Sequence, residues 1–168
     1  MPEGRSPGHV LAQHFVRQER RGERAHRIQM NSDSSATAAA TRVVRVLIVE
    51  DESLVSLFLQ GVLRDLGHEV SGIAPSLRTA LAFAAGTPTD LAIVDVGLAG
   101  DGGDGIDAAI ALRARHGIPA LLMTGAPLAS LGDRIKGAQP LGFLAKPYTE
   151  ADVERALIAA VAQLPPRD

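Results

Sequence analysis

The sequence contains no cysteine and no tryptophan, one tyrosine and four phenylalanines, so aromatic residues make up only 3% of it. The absence of cysteine excludes disulfides and thiolate metal centres. With so few aromatic rings, the stacking platforms that hold single-stranded nucleic acids are missing. No apolar run approaches the roughly 20 residues a helix needs to cross a bilayer. The N-terminus carries Arg5 and further basic residues, but neither the uninterrupted apolar stretch nor the cleavage site of a secretory signal. Together these absences predict a protein of the reducing cytoplasm, not placed in a membrane.

The formal net charge of -2 conceals a division. Residues 1–42 hold seven arginines against four acids, a balance of +3, whereas residues 43–168 hold ten lysines and arginines against fifteen acids, a balance of -5. The acidic part lacks the basic face of a nucleic-acid binder, so direct contact with DNA is not expected.

A length of 168 residues suits one domain with a real core. Residues 1–42 join an arginine-dotted stretch, Arg17 to Arg27, to a Ser/Ala/Thr run, and offer little to bury. They read as a disordered N-terminal extension. Val10, Leu11, Phe15 and Val16 have some helical spacing, but a solvated tail is the simpler reading, and Met30 is a second candidate start.

From Val43 onward, short β-branched runs alternate with helical segments, the signature of a parallel sheet covered on both faces. The fold class is therefore α/β, with five such repeats. Strands are expected over 43–49, 69–73, 91–94, 119–123 and 141–145. Helices are expected over 53–66, 76–85, 105–115 and 149–163, with a weak one over 128–137. In the first helix Leu54, Phe58, Val62 and Leu66 form the expected buried face, and Gly67 is the stop. Thr149 with Asp152 reads as the cap of the last helix. Pro165 and Pro166 then close the sequence, and no output domain is expected after them.

In open parallel sheets, functional groups gather at the C-terminal strand ends near the point where strand order reverses. Glu50 and Asp51 follow the first strand, Asp95 ends the third, Thr124 the fourth and Lys146 the fifth. One rim thus receives three carboxylates, a hydroxyl and an ammonium. Clustered acids repel, and either raise a pKa or recruit a cation; oxygen-only ligands favour a hard ion such as Mg²⁺. With Lys146 and Thr124 beside them, the arrangement suits phosphoryl transfer. Asp101, Asp104 and Asp107 in the glycine-rich stretch lack the spacing of an EF-hand or a P-loop and read as a solvated turn. His68 and His116 stand singly near element ends, which favours surface or capping roles.

The segments VLIVEDE (46–52), LAIVDVGL (91–98), LLMTG (121–125) and FLAKPY (143–148) resemble the receiver domains of bacterial two-component signalling. The resemblance covers residues 43–163. It implies a receiver domain over 43–168, a doubly wound flavodoxin-like sheet of order 2-1-3-4-5, and Asp95 as phospho-acceptor. It further implies Mg²⁺ held by Asp51 directly, by Glu50 through water, and by Asp95 with the backbone carbonyl of Gly97. Thr124 would bond a phosphoryl oxygen, Lys146 would pair with the phosphate, Phe143 would turn inward with Thr124 on activation, and Lys146–Pro147 would be cis. The implied partners are a sensor histidine kinase or phosphotransfer protein and a downstream regulator, met through the face around Phe143. Many receivers have proline four residues after the acceptor; here Ala99 stands there, and the DGI form is similar to a stand-alone subset. A phosphohydrolase of the haloacid-dehalogenase type is the rival reading, but it needs a second aspartate where Gly97 lies. A phosphate-independent pseudo-receiver is the other rival, and the five intact groups oppose it.

Overall fold

The computed structural model describes residues 42–100 and 102–166. The expected extension and Asp101 lie outside the described residues, Arg42 excepted. The aliphatic runs form β1 (Arg45–Val49), β2 (Glu69–Ala74), β3 (Leu91–Asp95), β4 (Ala120–Thr124) and β5 (Gly142–Ala145). All neighbours pair in parallel, in the order β2-β1-β3-β4-β5. This is the expected flavodoxin-like arrangement.

Side chains alternate between the two faces of the sheet and so divide the interior into two cores. Val46, Ile48, Ile93, Leu121, Met123 and Leu144 lie on one side, covered by α1 (Ser53–Asp65) and α5 (Glu150–Val161). Leu47, Val49, Ala92, Val94 and Leu122 lie on the other, covered by α2 (Leu77–Gly86), α3 (Gly105–His116) and α4 (Arg134–Ala138). Each fully buried aliphatic side chain contributes about 2 kcal/mol of transfer free energy. Lys146–Pro147, just after β5, is cis.

The helix ends follow from their sequences. Thr149 and Asp152 exchange side-chain and backbone bonds in a capping box at α5, and Asp104 with Asp107 does the same at α3. Gly67 leaves α1 at φ +80°, a left-handed conformation that glycine adopts without steric cost.

Four expectations need correction. The buried residues of α1 are Ser56, Leu59, Val62 and Leu63, whereas Leu54 is 81% exposed and Phe58 also reaches solvent. Counting every fourth residue drifts about 40° per step around a helix of 3.6 residues per turn, so the row starts on the exposed side at Leu54 and reaches the core only at Val62 and Leu66. His68 is buried at 6% exposure, and its Nδ1 accepts the Val44 N–H at 3.3 Å, satisfying the backbone where β1 begins. The solvated turn after β3 holds the Asp104–Asp107 cap, which is also ion-paired to Arg134. The weak fourth helix divides into a 3₁₀ turn at Leu128–Leu131 and the five-residue α4.

Candidate functional site

The strand order reverses between β1 and β3, and the polar strand ends meet at that point. Glu50, immediately after β1, is 1% exposed; Asp95, the last residue of β3, is 6% exposed; Asp51 faces solvent. Carboxylate oxygens of all three lie within 4.8 Å of one another. Lys146 reaches in from the end of β5, its Nζ 3.1 Å from Asp95 Oδ2 and 3.4 Å from Glu50 Oε2.

Backbone amides fix the acids in place. The Glu52 N–H donates to Glu50 Oε1 at 3.0 Å, the Gly97 N–H to Asp95 Oδ1 at 3.1 Å, and the Ala99 N–H to Asp51 Oδ2 at 3.2 Å. Sequence reading did not find these donors, because a backbone amide has no residue-type signature. Burial pushes the Glu50 carboxyl above the usual carboxylate range, and neighbouring Asp95 adds to this, against the Glu52 amide and Lys146. Burial opposes the charge on Lys146, but its bond to Asp95 and the fields of Asp95 and Glu50 outweigh this and raise its pKa.

The cluster fits a hard divalent cation. Its donors are all carboxylate oxygens, they lie within 4.8 Å of one another, and their mutual repulsion is only partly offset by Lys146. Gly97 is exposed beside Asp95, where a Cβ would stand 3.5 Å from Oδ2.

Thr124 and Phe143 stand apart from this cluster in their bonding. Thr124 is buried at the end of β4, where its hydroxyl donates to the Ala126 carbonyl at 3.1 Å and accepts from the Ala126 N–H at 3.0 Å. Phe143 is half-buried on β5 against the core beneath α2, α3 and α4. An apolar groove of about 400 Å³ opens beside Lys146, lined by Leu54, Val55, Phe58, Pro147 and Tyr148 together with Glu52. Sequence reading gave Leu54 and Phe58 to the core and so missed this groove.

Topology and the polar rim at the switch point define a doubly wound α/β protein of the flavodoxin-like class. The chain belongs to the response regulator receiver domain family, whose model matches residues 46–158. It is 34% identical over 130 residues to the transcriptional regulatory protein PdtaR of Mycobacterium tuberculosis, covering 77% of this chain and 62% of that one. It is 32% identical over 125 residues to the phyllosphere-induced regulator PhyR of Methylorubrum extorquens, covering 73% and 45%. The solution structure of the receiver domain of Erythrobacter litoralis PhyR superposes with a TM-score of 0.66 at 29% identity, covering 77% of this chain and 98% of that one. The chain therefore spans less than two thirds of the length of the two regulators.

Proposed function

We propose that Asp95 accepts a phosphoryl group in an Mg²⁺-dependent transfer from a protein donor, and that the chain passes on the resulting change by contact with another protein. The observation that carries this reading is the meeting of three carboxylates within 4.8 Å with an ammonium paired to two of them. Mg²⁺ would be held by Glu50, Asp51 and Asp95 with the Gly97 carbonyl, and would neutralise the charge that the acids and phosphoryl oxygens bring together.

In the transfer, a carboxylate oxygen of Asp95 forms a bond to phosphorus while the bond from phosphorus to the donor breaks, the leaving group keeping the electron pair. Lys146, already 3.1 Å from Asp95, pairs with the transferred oxygens and offsets their charge. Thr124 exchanges its bond to the Ala126 carbonyl for one to a phosphoryl oxygen. Phe143, half-buried nearby on β5, follows it inward, a shift between two packings of the same residues.

The donor is a sensor histidine kinase or a phosphotransfer protein, and the apolar groove beside Lys146 supports approach by a protein surface. A second hollow, of about 440 Å³, lies at Phe143, Ala145, Asp152 and Arg155 on β5 and α5 and supports contact with a downstream regulator. The names of the relatives, a transcriptional regulatory protein and a phyllosphere-induced regulator, support a regulatory output. The cytoplasm is the compartment this role implies.

Labelling with acetyl phosphate in the presence of Mg²⁺ tests the assignment. Asp95→Asn is expected to lose all label while unfolding at the same temperature as the wild type to within a few degrees. Label retained on the same peptide would overturn the assignment of the acceptor.

A further inference from the structure

Helix α4 is too short to persist by itself. Five residues fall well below the length at which a helix holds in water, and among them only Ala138 is fully buried. Its position is therefore set by what it touches: the core, through Ala138 and Ile135, and α3. Arg134, its first residue, directs its guanidinium at the start of α3: Nη1 and Nη2 each donate to one oxygen of Asp104 at 2.9 Å, and Nη2 donates also to Asp107 at 2.7 Å. These two acids are the pair that caps α3. The bonds from Arg134 hold the Asp104 carboxyl below the usual carboxylate range. At the other end of α4, Arg113 of α3 donates to the Gln139 carbonyl at 3.3 Å, and Gly137 lies against Ile110 of α3, to which a Cβ would come within 3.3 Å.

Helix α3 in turn begins on the acceptor's own backbone. A Cβ at Gly105, its first residue, would stand 1.8 Å from the carbonyl oxygen of Asp95, and the Gly105 N–H meets the Val96 carbonyl at 3.4 Å. Only glycine permits so close an approach. A continuous chain of contacts thus runs from Asp95 through Gly105, the Asp104–Asp107 cap and Arg134 into α4.

We propose that Arg134 is a positioning residue that ties α4 to the phosphoryl acceptor through the cap of α3, giving rearrangement at Asp95 a path to α4 separate from Thr124 and Phe143. The proposal rests on the acceptor reading of Asp95 given above. A single exposed ion pair contributes little, but a planar guanidinium held by both oxygens of one carboxylate and one of a second has a geometry that lysine cannot reproduce. The tie fixes orientation as well as distance.

The test uses the full chain, ¹⁵N-labelled, with amide exchange read without additions and resonance shifts read with Mg²⁺ and beryllofluoride, a mimic of the phosphoryl group. In R134A, amides 135–138 are expected to exchange about fivefold faster than in the wild type. Beryllofluoride should shift residues 135–138 in the wild type but not in R134A, while Thr124 and Phe143 shift in both; R134K should fall between. Equal exchange in the two proteins, or an α4 response in R134A as large as in the wild type, would overturn the proposal. Failure of Thr124 and Phe143 to respond in the wild type would instead count against the acceptor reading, and the exchange arm would still decide whether Arg134 holds α4.

Discussion

His68 shows what one buried titratable group does to the protein. Its Nδ1 accepts the Val44 N–H, which requires that nitrogen to be unprotonated, and burial lowers its pKa below the ordinary 6.5. Below pH 6.5 the unfolded chain takes up a proton that the folded chain resists, so the unfolded state is favoured there. Stability is therefore complete above that value and falls as pH drops toward the depressed folded pKa, by at most about 1.4 kcal/mol per pH unit from this group. His68→Gln should flatten the dependence of urea unfolding between pH 7.5 and 5.5; an unchanged slope would show that His68 is not its source. Sequence reading gave His68 a surface or capping role and did not find its burial, because burial depends on the neighbours folded around a residue.

At the scale of the element, α1 separates side chains that are alike in type. Leu59 is fully buried and Leu54 is 81% exposed, though both are leucines on one helix. Leu59→Ala should cost about 2–5 kcal/mol in unfolding free energy, whereas Leu54→Ala should stay within about 0.5 kcal/mol. Equal losses in chemical denaturation would mean that the helix is rotated from the orientation described here. The five strands, the four long helices and the Thr149–Asp152 cap of α5 were legible in the sequence because each depends on local periodicity or on spacing of three residues. The Arg134 fork was not, since its partners Asp104 and Asp107 lie 30 and 27 residues away and no spacing rule links them. Glu50, Asp51, Asp95 and Lys146 were legible for another reason: each sits at a strand end, and parallel topology gathers strand ends on one rim.

Taken as a whole, residues 42–166 contain both cores, and Arg42 already bonds the Pro165 carbonyl at the far end of the fold. A chain shortened to begin at Met30 should therefore unfold within about 2 °C of the full one and label equally with acetyl phosphate. A larger shift or a loss of label would assign the preceding segment a part in the fold. The scarcity of aromatic residues has an optical consequence as well. Tyr148 is the only tyrosine in a chain without tryptophan, and it stands two residues after Lys146, its hydroxyl 3.4 Å from Met123 Sδ and its ring 6.2 Å from that of Phe58. All ultraviolet fluorescence excited above the phenylalanine band thus comes from a single ring at the edge of the acceptor rim, and the protein carries its own label-free reporter of events there.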